Sequence, residues 1–154
     1  NLPINEFDYW YLTDHHTSNG VISSDLIRNN QDGYASQIGT GMSESSGVFT
    51  FPSTGKWLVI ANAVFECNDS DSIFLYTNVT TNNSAYAVHA YACDGNNGSG
   101  TRRGSGCSFS FIDVTDTSQV KVKFEADSVG TSSYVRGGTA KIETGFIFIR
   151  LGDT

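Results

Sequence analysis

The sequence predicts an all-β domain of two packed sheets, one of which is covered on both faces. Gly, Asn, Asp, Ser and Pro interrupt the chain at short intervals, and the segments between them are rich in β-branched and aromatic residues. Residues 55–65 form a near-continuous apolar run whose length suits one strand. Apolar residues on both sides of a strand must be covered on both sides, so we expect a second copy of the chain to supply one covering layer.

The turn signals divide the chain into about ten strands, which implies two sheets in one domain, and helix signals are almost absent. We place the strands at residues 7–13, 21–27, 34–42, 47–51, 56–66, 72–79, 85–93, 107–114, 119–126 and 141–151.

The first strand carries three consecutive aromatic residues. Successive side chains of a strand point to opposite faces, so Tyr9 and Tyr11 face away from Trp10. These rings could stack on sugars, but packing in the core or between subunits is favoured. The same alternation places Tyr86 and Tyr91 on opposite faces of the strand at 85–93.

Later strands differ in how many faces are apolar. Val120, Val122, Phe124 and Ala126 alternate with polar residues, which is typical of a strand with one face in water. Residues 145–149 lack such a polar face, and residues 107–114 are mixed. The Gly-rich segment 94–106 is predicted to be a mobile surface loop.

Length and charge limit the classes of protein to which the chain can belong. The 154 residues suit a single domain, 1–154. A formal net charge of -7 argues against nucleic acid and anionic membrane surfaces, which require clustered Lys and Arg. No apolar run approaches the ~18 residues of a membrane span, so membrane insertion is not expected. The chain starts at Asn1 without Met, which leaves open whether it is a processed chain or the C-terminal part of a longer fibre protein.

The three cysteines, Cys67, Cys93 and Cys107, cannot all pair within one chain. One disulfide with a spare thiol and three reduced thiols both remain open. An odd number of cysteines argues against a secreted disulfide scaffold.

The segment 46–59 resembles a known family. It contains Gly-x-Phe-Thr at residues 47–50 and Gly-x-aromatic-x-apolar at residues 55–59. This order resembles the second quarter of complement one-q globular heads, which belong with the tumour-necrosis-factor cytokines in one jelly-roll superfamily. Residues 112–122 look like that family's sixth and seventh strands, and residues 144–147 look like its closing strand.

The Phe-Pro-Ser-Thr-Gly of residues 51–55 and the aromatic first strand followed by Leu12 and Thr13 look closer to heads carried by tail fibres and spikes of bacteriophages and other viruses. The resemblance implies a ten-stranded, two-sheet jelly-roll sandwich that assembles as a homotrimer through one sheet. We predict that the following residues form its core and subunit interface, without assigning a face to either role: Trp57, Val59, Phe109, Phe146 and Phe148.

No catalytic residue is predicted, because the sequence contains no nucleophile elbow, His-Glu-x-x-His, Cys-x-x-Cys or phosphate-binding Gly loop. The protein is therefore expected not to be an enzyme. Loop residues with paired donors and acceptors are the candidate ligand-binding residues. They are Asn82, Asn83, Asn96, Asn97, Arg102 and Arg103.

Two groups could hold a metal. Asp69 and Asp71 supply carboxylate oxygens suited to calcium. The residue types of Asp14, His15 and His16 are ones that bind transition metals. Turn formation and solvation are the favoured explanations of both groups, and no other cofactor is expected.

These observations predict a non-enzymatic trimeric recognition head at the tip of a phage or viral fibre, on the virion surface. It would bind a host-surface glycan or protein through exposed loops, and three sites on one head would provide avidity. Two alternatives remain: an extracellular complement-one-q-like lectin or immune-type head, and a structural trimerisation cap without a ligand.

Overall fold

The computed structural model describes residues 4–30, 33 and 35–154, and these residues contain no helix. No segment among them could cross a membrane as a helix. The strands are β1 (Phe7–Leu12), β2 (Gly20–Val21), β3 (Leu26–Arg28), β4 (Gln37–Ile38), β5 (Ser43–Ser45), β6 (Val48–Thr50), β7 (Gly55–Asn68), β8 (Ser72–Thr80), β9 (Tyr86–Gly95), β10 (Thr101–Val114), β11 (Lys121–Asp127), β12 (Tyr134–Val135) and β13 (Gly145–Gly152).

The strands form two antiparallel sheets. The seven-stranded sheet has the order β10-β7-β13-β1-β3, with β12 paired to β7 and β4 paired to β1. The six-stranded sheet has the order β5-β6-β11-β8-β9, with β2 paired to β11. Strands adjacent in a sheet are mostly distant in the chain, so the two-sheet jelly roll predicted from the sequence is confirmed.

The core between the sheets is aromatic. Phe49 and Phe124 of the six-stranded sheet meet Phe146 and Phe148 of the seven-stranded sheet, and all four side chains are fully buried. The rings of Phe124 and Phe146 stack with centroids 3.9 Å apart. Phe124 is also one of the alternating residues of β11, whose predicted single buried face is confirmed.

The segment 101–106 is a strand and not the predicted mobile loop. It begins β10, which pairs with β7 without interruption from Thr101 opposite Asn68 to Val114 opposite Gly55. Its glycines serve close packing: a Cβ on Gly106 would lie 3.1 Å from the Cβ of Ala92 in β9. The small residues of this segment therefore fit the narrow space beside β9. The loop between β9 and β10 is limited to residues 96–100.

Two other strand predictions need correction, and the short strands β5 and β12 were not predicted. The predicted strand 21–27 is divided between β2 in one sheet and β3 in the other, and the chain turns between them at Asp25 with φ 60°. The predicted strand 34–42 is reduced to β4, and its residue 34 lies outside the described residues. The sequence did not predict β12, which has two residues and no apolar periodicity.

Candidate functional site

The outward surface of the seven-stranded sheet carries a continuous apolar surface, which we call the apolar face. Strand register places its residues in two rows across four strands. One row is Phe109, Ile60, Ile147 and Tyr9, and the other is Phe111, Leu58, Ile149 and Phe7.

The apolar face is open although the opposite side of the same strands is buried. Phe109 is 58% exposed and Phe111 is 67% exposed. The intervening residues of the same strands face the core, where Trp57, Val59, Phe146 and Phe148 are at most 1% exposed. Of the five residues predicted for core and interface, the structure thus places these four in the core and Phe109 on the apolar face.

A shallow cavity of about 280 Å³ lies at one end of the apolar face. Phe111 and Leu151 form its apolar wall. Lys56 and Asp113 lie on its rim and form an exposed ion pair of 3.2 Å. The apolar face therefore ends in a charged border, as the rim of a protein interface does.

A charged network, the Glu66 cluster, lies at the other end of the same sheet. It consists of Glu66, Arg103, Tyr134, Arg136 and Glu143. Glu66 is only 8% exposed and accepts hydrogen bonds from Arg103, Arg136 and the Tyr134 hydroxyl, the last at 2.6 Å. Arg136 also donates to Glu143 at 3.0 Å.

The network shifts the titration of its members. The hydrogen bond from Tyr134, together with Arg103 and Arg136, lowers the pKa of Glu66 from 4.5 to about 2, although burial opposes this shift. The same hydrogen bond raises the pKa of Tyr134. Glu66 is therefore ionised and Tyr134 is a donor at neutral pH.

The six predicted ligand-binding residues do not form one site. Asn96, Asn97 and Arg102 line a polar groove of about 510 Å³, the apical groove, together with residues 70–72 and Gly95. Asn82 and Asn83 lie in the β8–β9 turn at the opposite end of the nine-residue strand β8, roughly 25–30 Å away. Arg103 points away from the apical groove and binds Glu66.

Two of these asparagines hold their own loops together. Asn82 Oδ1 accepts hydrogen bonds from the backbone N–H of Ser84 and Ala85, and Asn96 Nδ2 donates to the carbonyl of Gly100 at 2.7 Å. Asn97 and Arg102 are exposed. These two side chains are the members of the apical groove best able to contact a ligand.

The predicted calcium ligands Asp69 and Asp71 clamp backbone groups. Asp69 Oδ1 accepts from Gly100 N at 2.6 Å, and Asp71 Oδ2 accepts from Gly130 N at 2.9 Å. Within the described residues, no three His, Cys, Asp or Glu side chains are grouped as a metal site would require. Calcium binding by this pair stays a prediction.

The histidine pair is held by neighbouring aromatic and backbone groups. The ring of His15 stacks on Tyr134 with centroids 4.4 Å apart, and His15 Nδ1 accepts from Gly137 N at 3.1 Å. Burial lowers the pKa of His16. His15 Nδ1 is thus already used by the protein backbone.

All three cysteines are free thiols. Cys67 is buried, whereas Cys93 and Cys107 are exposed. Cys107 lies two residues before Phe109 on the apolar face, and Cys93 lies on the outward surface of the six-stranded sheet opposite Phe74.

Sequence reasoning missed an aromatic cluster on the six-stranded sheet. The alternation rule separated Tyr86 from Tyr91, but β9 contains a bulge between its pairings with Thr77 and Asn78. The extra residue puts both tyrosines on the outward surface. Tyr91 contacts Phe74 and Tyr76, with ring centroids 5.8 Å and 6.1 Å away. A bulge has no signal in hydrophobic periodicity, so this cluster could not be predicted.

The sheet order and the single aromatic core define the class: an all-β, two-sheet jelly roll. Among solved structures, murine APRIL at pH 5.0 is similar, with a TM-score of 0.69 and 8% identity over 95% of this chain and 98% of that chain. Murine APRIL at pH 8.5 gives a TM-score of 0.65 with 10% identity over the same shares. No protein-family model and no curated protein matches the sequence. The likeness establishes the fold, as the sequence resemblance predicted.

Proposed function

We propose that the chain is the protomer of a homotrimeric, non-enzymatic recognition head whose apolar face is buried between copies. The observation that carries the proposal is the pair of apolar rows, which includes Phe109 and Phe111. Soluble proteins rarely leave a contiguous apolar patch of more than a few hundred Å² open to water. Domains of the tumour-necrosis-factor type form trimers, which supports another copy of this chain as the occupant.

The head acts by binding and not by catalysis. Its role is to hold a host-surface glycan or protein, and the apical groove with Asn97 and Arg102 is a candidate contact. Three copies present three grooves, so weak single contacts add up through avidity. The resemblance of residues 51–55 to phage and viral heads supports a position at a fibre tip on the virion surface.

The two exposed thiols provide an internal test of assembly. In the native protein, an alkylating reagent should modify Cys93, while Cys107, which borders the Phe109 row of the apolar face, should be protected by the neighbouring copy. Partial burial raises the pKa of Cys107 even within one chain, which lowers its reactivity without any partner. The Phe109→Asp variant, in which the copies should separate, is therefore the reference for Cys107. Cys107 should become reactive in that variant, as measured by mass spectrometry of the labelled peptides. Equal labelling of both thiols in the native protein would contradict burial of the apolar face.

The recognition role is tested separately with loop variants. Fluorescent heads carrying Asn97→Ala and Arg102→Ala should lose binding to a panel of bacterial cells in flow cytometry, because both side chains face the apical groove. The Ser84→Ala variant, at an exposed position at the far end of the sandwich, is the control. Undiminished binding of the double variant would exclude the apical groove, and a trimer that binds no cell would favour a structural cap.

A further inference from the structure

Three aromatic rings contact one another on the outward surface of the six-stranded sheet. We call Phe74 and Tyr76 of β8 and Tyr91 of β9 the aromatic platform. The rings of Phe74 and Tyr76 are nearly parallel, at 21° with centroids 5.9 Å apart. Tyr91 stands nearly perpendicular to Tyr76, at 81°.

The platform faces water and not the core. Ile73 and Leu75, which alternate with Phe74 and Tyr76, are fully buried, so the two aromatic side chains lie on the other side of β8. Tyr91 is directly opposite Tyr76 in the register and is 55% exposed. Contiguous aromatic surface of this kind costs solvation free energy when it has no partner.

Hydrogen-bonding groups surround the rings. Asp127 Oδ2 lies 3.4 Å from the Tyr76 hydroxyl, which is longer than the usual ~2.7–2.8 Å of such a bond, so both groups can still bind a ligand hydroxyl. Asn78 Nδ2 donates to Glu125 at 3.1 Å, and Glu125 lies on β11 along the same edge of the platform as Asp127. Tyr91 is 55% exposed, so its side chain is open to a ligand. The platform therefore combines an apolar surface with donors and acceptors at its edge.

We propose that the aromatic platform binds one neutral sugar ring of a glycan, with the ring's C–H surface against Tyr91 and its hydroxyls bound to Asp127 and the tyrosine hydroxyls. A pyranose has one apolar C–H surface and a rim of hydroxyls, which is the complement of aromatic faces with polar edges. The inference names a ligand class for the recognition function proposed above and rests on it.

Charge and size favour a neutral sugar over other ligands. Asp127 borders the platform on its β11 edge, where Glu125 is already paired with Lys123, and the chain carries a net charge of -7, so we expect sialic acid and other anionic sugars to be disfavoured. A stable protein interface covers about 800 Å² per partner. Three partly buried rings offer much less, because even a fully buried aromatic side chain contributes only about 150–250 Å².

The platform stays accessible in a trimer. It lies on the six-stranded sheet, whereas the apolar face lies on the outward surface of the seven-stranded sheet, on the other side of the sandwich. Burial of the apolar face between copies therefore leaves three platforms open. A weak affinity at each platform suits an avid head.

The test is saturation-transfer NMR on the full chain with methyl glycosides of glucose, galactose, mannose, fucose, N-acetylglucosamine and N-acetylgalactosamine, and with sialyllactose. At least one neutral glycoside should receive saturation at its ring C–H protons, with millimolar affinity. Tyr91→Ala should weaken that affinity by about tenfold or more, and Asp127→Asn by a smaller factor. Tyr91→Phe keeps the ring and removes only its hydroxyl, so it should weaken the affinity less than Tyr91→Ala does, and circular dichroism of both variants checks that they are folded.

Tyr86→Ala is the matched control, because Tyr86 lies on the same strand and surface but contacts Lys123 outside the platform. If Tyr91→Ala leaves sugar binding unchanged, the platform is not the sugar site. The proposed recognition function would not be contradicted by that result. Binding of sialyllactose alone, or of none of the glycosides, would also overturn the inference. A monomeric chain that still binds a neutral glycoside through Tyr91 would instead contradict the proposed trimer and support the platform.

Discussion

At the scale of single residues, Glu66 shows how one buried carboxylate joins separate segments. Its partners come from β10 through Arg103, from β12 through Tyr134, and from the following loop through Arg136. Because the pKa of Glu66 is lowered to about 2, its charged form stabilises the folded state. The stabilisation is complete above the ordinary pKa of 4.5 and is lost as pH falls towards 2.

Glu66→Gln should therefore lower the free energy of unfolding at neutral pH by on the order of 1–3 kcal/mol, because a charged acceptor is lost. The difference between wild type and variant should shrink as pH falls from about 4.5 to 2. Urea unfolding followed by circular dichroism at fixed protein concentration measures the free energy of unfolding of wild type and variant at each pH. A difference that does not change with pH would show that the charge of Glu66 contributes nothing.

Asp8 has a similar role in the first strand. This fully buried carboxylate accepts from Trp10 Nε1 at 2.8 Å, from Arg28 Nε at 2.8 Å and from Met42 N at 2.6 Å. It thereby fixes β1, β3 and the segment before β5. This role could not be predicted from the sequence, since nothing in the order of residues 8, 28 and 42 relates them.

Asp8→Asn should destabilise the domain by on the order of 3–5 kcal/mol, because Arg28 loses its counter-charge and one of the two accepting oxygens is replaced by an NH2 donor. Asp153→Asn is the control, since Asp153 pairs with Arg150 while its side chain is 93% exposed, and its loss should cost less than about 1 kcal/mol. Equal effects of the two substitutions on thermal unfolding would contradict the assigned role of Asp8.

At the scale of elements, β10 shows where pattern reasoning fails. Residues 101–106 have the composition of a flexible linker, yet they pair with β7 and pack beside β9. Glycine in a sequence indicates either flexibility or close approach, and only the neighbours in space decide between them. The strands with strong apolar periodicity, such as β7, β11 and β13, could be predicted because their burial follows from local order.

Gly106→Val should destabilise the protein by about 1–3 kcal/mol, because its side chain would meet Ala92 Cβ and the Cys93 backbone at 3.1 Å. Ser105→Thr adds a β-branched side chain at the adjacent, exposed position and should change stability by less than about 0.5 kcal/mol. Thermal unfolding of both variants makes the comparison. If the Gly106→Val variant is as stable as the wild type, β9 and β10 can move apart without a loss in the free energy of unfolding.

At the scale of the whole molecule, the two outer surfaces of the sandwich differ in chemistry. The seven-stranded sheet presents the apolar face, and the six-stranded sheet presents charged residues around the aromatic platform. The apolar outward surface of β7 could be predicted from the apolar run at 55–65, because the core of one domain covers only one side of a strand. The platform depends on the bulge in β9 and on pairing across strands, which periodicity does not encode.

The solution mass, measured by light scattering coupled to size exclusion, tests most directly whether the apolar face is buried between copies. We expect a trimer of the 16.6 kDa chain, and a monomer when Phe109→Asp and Phe111→Asp place charges on the apolar face. Val88→Asp, at a 53% exposed position on the six-stranded sheet, should remain a trimer. A monomeric wild type, or a trimer unaffected by the two charges, would contradict the burial of the apolar face between copies.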